Sequence, residues 1–236
     1  MKRNIIYGKS ALNNNLIAQL YFKNRKKQNL PLVLILATVH GDEIEGLWLA
    51  EHFETPWRIR FPYANINVLL VPRTNPDGLA LGQRTNGKGV DLNRNLPTLD
   101  WNAEAFNKRY PPGPFAGSEP ENQGLIYLIN NYKPKAILTL HSFKEPQINA
   151  NGKDETGVID LANALFEVSP YKKITRGDEM GYPTPGCLGT YAGYERDIPT
   201  ITYELLRGSD IYEILNGNIP VVEKFIEFFN EKKLKK

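Results

Sequence analysis

Apolar residues in this chain gather into short continuous runs separated by segments of helical spacing. Residues 32–39 (LVLILATV) are apolar almost throughout, the pattern of a strand buried on both faces. The runs at 66–71, 136–140 (AILTL) and 198–203 (IPTITY) read the same way. Helices are expected at 43–53, where Ile44, Leu47, Trp48 and Ala50 are apolar, and at 121–131, 156–168 and 219–229. Residues 75–97 have no clean periodicity and are rich in Gly, Asn and Pro, and 111–121 (PPGPFAGSEPE) read as a second loop. Long irregular segments inside compact domains are usually functional. Buried strands alternating with helices predict an α/β fold. It would be a single domain over residues 1–236, with a mixed, mostly parallel twisted sheet and helices on both faces. Such sheets bind ligands at the carboxyl ends of their strands.

Composition narrows the partners. A chain of 236 residues with 41% hydrophobic content can bury the core of one such domain. Lys and Arg number 29 against 26 Asp and Glu, a net charge of +3. So small a surplus gives no nucleic-acid surface, and the one basic cluster, 232–236, is what a solvated terminus looks like. Cys187 is the sole cysteine, so no intrachain disulfide is expected. No stretch is apolar enough for a signal peptide or a membrane span, so a soluble, cytoplasmic protein with no membrane partner is expected.

The candidate chemistry lies just after or at the ends of the strand-like runs. Three histidines are present: His40, His52 and His141. His40 and Glu43 form a His-x-x-Glu spacing that lets two ligands reach one ion where a strand gives way to a helix, and Gly41 lets the backbone bend closely there. His141 follows after a long spacer, at the end of the 136–140 run. Two His and one Glu would hold a catalytic zinc with the fourth position open to water. Asp42 stands beside them as a candidate partner for a ligand histidine. Glu45 is expected to face solvent, where the helix macrodipole favours it. His52 reads as a surface or core histidine, and Glu204 as a carboxylate that must be paired or working at the end of a buried run.

Further motifs follow in order: Asn75-Pro76-Asp77-Gly78, Arg84-Thr85-Asn86, Gly89-Val90-Asp91-Leu92-Asn93-Arg94-Asn95, His141-Ser142 and Thr202-Tyr203-Glu204-Leu205. Together with His40-Gly41-Asp42-Glu43 they resemble the zinc metallocarboxypeptidases, and the resemblance runs from about Tyr7 to Leu206. It implies one zinc ion per chain on His40, Glu43 and His141, with Glu204 as the catalytic glutamate. It implies Arg84 as the group that polarises the scissile carbonyl, Asn93 and Arg94 as holders of the substrate's terminal carboxylate, and Tyr182 as a mobile tyrosine that closes over the substrate. Each role is sound chemistry. Zinc lowers the pKa of bound water towards about 7. A glutamate can take that water's proton and pass it to the leaving amine. An arginine supplies fixed charge at the oxyanion, and a guanidinium fork fits a carboxylate.

The segments at 7–10, 117–121 and 181–186 resemble those of the family's branch that acts on bacterial cell-wall peptides. The resemblance implies a small peptide substrate, a murein tripeptide or similar, cut between γ-D-glutamate and meso-diaminopimelate. Cys187 and Tyr191 stand where that branch usually has Ser and Trp, at the border of the leaving residue's pocket. Leu188 and Gly189 bring no charge to that pocket. Glu145 and Asp178 are candidates to meet the second amino group of diaminopimelate. Other readings are a carboxypeptidase on other peptides and an aspartoacylase-like zinc deacylase of N-acyl amino acids. The deacylases usually carry an added C-terminal domain, for which the residues after Glu204 are too few. A cysteine hydrolase would need a base for Cys187 that only His52 remains to supply.

Overall fold

The computed structural model describes residues 1–22, 30–54, 65–177, 179 and 181–231. Its centre is one eight-stranded mixed sheet in the order β1-β2-β4-β3-β5-β8-β6-β7. The middle four strands are parallel: β4 (Asn67–Val71), β3 (Leu32–Ala37), β5 (Ile137–Phe143) and β8 (Thr200–Leu206). All four answer apolar runs in the sequence. Helices α1 (Ile44–His52), α2 (Pro76–Leu81), α3 (Pro120–Tyr132), α4 (Val158–Val168) and α5 (Ile211–Glu231) connect or follow them. The last runs back through Pro220 to Ile211, well before the expected start at 219.

The other strands have no continuous apolar run. Edge strand β1 (Lys2–Lys9) is largely exposed and pairs antiparallel with β2 (Asn15–Tyr21). On the far side, β6 (Gln147–Asn151) runs antiparallel to β8 and parallel to β7 (Ile174–Arg176). Every residue of β6 is buried although three of its five are amides. Ile148 and Ala150 enter the core, so the two-residue period of a strand turns Gln147, Asn149 and Asn151 to the opposite face.

Two cores sandwich the sheet. One joins α1, α4 and α5 to Val33, Ile35, Leu138, Leu140, Ile201 and Tyr203. The other joins α3 to Leu32, Leu34, Leu36, Leu69 and Ile137, with Leu188, Tyr191 and Ala192 from the late segment. Each fully buried Leu or Ile contributes about 1.5–3 kcal/mol. Because both faces are covered, clefts are left to the ends of the strands. No helix among the described residues is long and apolar enough to cross a membrane. The basic cluster at 232–236 lies outside the described residues.

Candidate active site

His141 on β5 and Glu204 on β8 are register partners in a parallel pair. The ladder therefore sets them side by side on one face. His40 follows β3, and Glu43 is the residue before the first turn of α1. Gly41 is required by crowding rather than by bending: a Cβ there would lie 2.0 Å from the backbone carbon of Gly78. The Asn75–Gly78 turn is thus pressed against the strand-to-helix turn, and the Gly41 N–H donates to the Arg84 carbonyl at 3.3 Å.

His40, Glu43 and His141 are all buried and offer ligand atoms within 4.8 Å of one another. His40 Nδ1 lies 2.8 Å from Glu43 Oε1, and His141 Nδ1 lies 2.8 Å from Glu43 Oε2. The two Nδ1 atoms are 3.1 Å apart. Nε2 of His40 faces Asp91 Oδ1 at 3.2 Å, and, against burial, the carboxylates on both ring nitrogens hold His40 protonated when no cation is bound. Once deprotonated on Nδ1, as a metal ligand must be, it would turn a lone pair towards the Glu43 oxygen and the second imidazole. A cation among these atoms relieves that repulsion, so the donor set fits a zinc ion.

Asp91 has a role that its place in the Gly89–Asn95 motif does not reveal. It is fully buried, accepts from Arg84 Nε at 2.8 Å and from the Asn93 N–H at 2.9 Å, and orients His40. Burial alone would raise its carboxyl, but His40 and Arg84 outweigh burial and hold it below the ordinary range. Burial likewise opposes the Glu43 charge, and His40 and His141 overcome it and keep the carboxylate ionised. Glu204 differs. Burial pushes it up to about 7, Glu43 adds to the rise, and His141 only partly offsets both. An acid that titrates near neutrality is suited to taking and returning a proton.

Two expectations are corrected. Asp42 does not orient a histidine; it pairs with Arg207 at 2.6 Å, and Asp91 takes the histidine. Glu45 is buried and accepts from the Gly208 N–H at 2.7 Å, because its side of α1 faces the chain leaving β8.

The three ligand candidates, Glu204, Arg84, Asn93, Arg94 and Tyr182 line one cavity of about 320 Å³. Arg94 is buried, with its guanidinium 5.1 Å from the Tyr110 ring and 5.9 Å from the Tyr182 ring. Those two tyrosines stack at 5.9 Å. Arg84 lies 4.8 Å from the Tyr110 ring, so Tyr110 holds both arginines; no motif in the sequence had singled it out. Asn93 Oδ1 accepts from the Leu188 N–H at 2.9 Å, tying the late segment to the loop. The remaining wall includes the uncharged Asn149, Asn151, Thr202, Gly189 and Cys187, and the cationic Arg109, Lys144 and Arg207 also line the cavity. Glu145 points elsewhere, pairing with Lys173 at 3.4 Å, and Asp178 lies outside the described residues.

Residues 2–212 match the zinc carboxypeptidase model of peptidase family M14, and the chain belongs to that family. It is a zinc-dependent peptidase or amidase. It is 33% identical over 213 residues to the murein peptide amidase A of Vibrio campbellii, covering 84% of this chain and 77% of that protein. To the murein peptide amidase A of Escherichia coli it is 34% identical over 176 residues, covering 67% of this chain and 64% of that one. Among solved structures, the murein-tripeptide amidase of Escherichia coli O157 superposes with a TM-score of 0.68 at 26% identity, over 96% of this chain and 91% of the other. Bovine thrombin-activatable fibrinolysis inhibitor shares the fold, with a TM-score of 0.78 at 20% identity, over 97% and 90% of the two chains.

Proposed function

We propose that this enzyme hydrolyses the amide bond between γ-D-glutamate and a C-terminal meso-diaminopimelate in small murein peptides, in the cytoplasm, with one zinc ion per chain. The observation that carries the substrate is the cavity wall beyond Arg94. It presents amides and hydroxyls, Asn149, Asn151 and Thr202, where an apolar or singly charged leaving residue would want a greasy or oppositely charged floor. A leaving residue with its own zwitterionic head suits neutral polar groups. The amidase relatives support the same substrate class.

In this reading His40, Glu43 and His141 hold the zinc, which when bound supplies Lewis-acid activation of water and of the scissile carbonyl. Glu204 takes the proton from the attacking water and returns it to the leaving amine nitrogen. Burial suits it to the first task, since a carboxylate whose pKa is raised to about 7 is a stronger base than an exposed one, and a pKa near neutrality still lets it return the proton. Arg84 is clamped by Asp91 through Nε and by Glu43 through one terminal nitrogen, which leaves the other terminal nitrogen for the developing oxyanion. Arg94 and Asn93 bind the terminal carboxylate, and Tyr182, stacked on Tyr110, covers it.

The test is release of diaminopimelate from L-Ala-γ-D-Glu-meso-diaminopimelate by zinc-loaded protein, alongside peptides ending in ordinary L-residues. Release from the first alone is expected. Efficient cleavage of ordinary peptides with the murein peptide left intact overturns the substrate and leaves the zinc chemistry standing.

A further inference from the structure

Behind the late segment lies a second cavity, of about 540 Å³, that the chemistry above does not use. Asn151, Gly177, Thr184 and Cys187 line both it and the candidate active site. The two spaces therefore share part of their wall. Among the described residues lining the second cavity, Asp100 alone is charged. Tyr194 and Asn102 are its other large polar residues, and Pro183 and Pro185 form its apolar side.

Asp100 is placed firmly. Its Oδ1 accepts from the Gly186 N–H at 3.2 Å and from the Thr98 hydroxyl. Gly186 in turn packs on the loop that carries Arg94, where an added Cβ would lie 2.4 Å from the Arg94 carbonyl oxygen. Both hydrogen bonds fall on Oδ1, so Oδ2 remains to meet a ligand. The shared wall is thin in chemistry. Gly189 brings no side chain, and a Cβ there would lie 2.3 Å from Asn151 Oδ1, so the absence of one is what lets the Asn151 carboxamide stand at the boundary.

We infer that the second cavity is a subsite for the far end of the leaving residue's side chain, in which Asp100 binds a distal ammonium group with Tyr194 and Asn102 beside it. This rests on the proposed function. A leaving residue whose α-carboxylate is held at Arg94 has its side chain directed along the Asn149–Asn151 wall. A side chain ending in a second amino-acid head is long enough to pass that wall. Asp100 is exposed, so its carboxylate is hydrated in the free enzyme; an apolar side chain of equal length would give it no new partner and would bring its own apolar end among polar groups, which is how a site rejects as well as selects.

The experiment compares γ-D-glutamyl peptides ending in meso-diaminopimelate and in 2-aminopimelate, which lacks only the distal amino group, on wild type and Asp100→Asn. The asparagine keeps an Oδ1 acceptor for Gly186 and removes only the charge. Wild type is expected to show a KM about tenfold lower for the diaminopimelate peptide, as for a charged hydrogen bond. Asp100→Asn should erase that difference by raising this KM alone, with kcat little changed. Equal KM values in wild type, or a rise on both peptides alike in the variant, overturn the subsite. Should wild type cleave neither peptide, the proposed function has failed. Calorimetry of free meso-diaminopimelate with the zinc-loaded protein then decides the subsite separately. Binding weakened about tenfold by Asp100→Asn sustains it, and no binding or equal binding overturns it.

Discussion

His141 and Glu204 stand on paired strands, whereas Arg84, Asn93, Arg94 and Tyr182 stand on chain with almost no regular structure. The two walls of the cavity hold their residues by different means. On the strand side a backbone ladder sets the spacing, and apolar packing on both faces holds the ladder. On the loop side, buried amides replace the ladder. Asn95 donates to the Pro112 and Phe115 carbonyls and accepts from the Glu119 N–H and from Asn122. Asn86 binds Glu119 and Glu121 and accepts from the Lys88 and Val90 N–H groups. A charged side chain in a loop can be as well placed as one on a strand, provided each backbone group it displaces is satisfied by such an amide. The metal candidates draw on both kinds of support, because Asp91 reaches from the loop to His40.

The largest effects should come from the strand side. Stripping the metal with a chelator is expected to abolish turnover, and added zinc to restore it; turnover that survives complete stripping would remove the metal from the mechanism. Glu204→Gln should lower kcat by about 10²–10⁴ with zinc content unchanged. The same residue sets a pH dependence. Glu204 must be a carboxylate to accept a proton, and its pKa is raised to about 7, so activity falls as pH drops through that region. A bound cation beside it favours the carboxylate and moves this limb to lower pH. A pH profile of kcat/KM at saturating zinc should show the limb at or below about 7.

Loop-side changes should act mainly on binding. Arg94→Ala is expected to raise KM by about 10–100-fold with a smaller change in kcat, since in the proposed function its guanidinium holds the terminal carboxylate. A loss confined to kcat would place Arg94 in the chemistry instead. Asp91→Asn tests the bridge between the walls. It leaves all three ligands in place and should weaken zinc affinity by about 10–100-fold, read by competition with a chromophoric chelator. The smallest effect on chemistry should be that of Asn95→Ala. It leaves several buried backbone groups unpaired and should destabilise the fold by about 2–3 kcal/mol in denaturant unfolding. Its kcat at low temperature should stay near that of the wild type if the hub only supports the loop.

The pattern of residues along the chain was enough for the parallel centre of the sheet. The runs at 32–39, 66–71 and 136–140 carry β3, β4 and the start of β5, and strands buried on both faces announce themselves as unbroken apolar runs. Strand β6 could not be read, because the amides that line the cavity break the apolar pattern that would have marked it. The function of that strand hid its structure. The candidate ligands were legible because metal chemistry admits few residue types, and His40, Glu43 and His141 recur in the family's order.

Asp91, Tyr110, Glu45 and Asp42 were decided only by the tertiary structure. A local pattern tells which way a side chain leaves its own element, as it did for the buried faces of β3 and α4. It does not tell which distant segment arrives opposite, and that depends on strand register and on how the loops close. Asp91 meets His40 across a separation of 51 residues, and Arg207 takes Asp42 across 165. Residue type and local periodicity thus determined the sheet's centre and the candidate ligand set. Long-range register and packing decided which carboxylate meets His40, which tyrosine holds the arginines, and what lies behind the pocket wall.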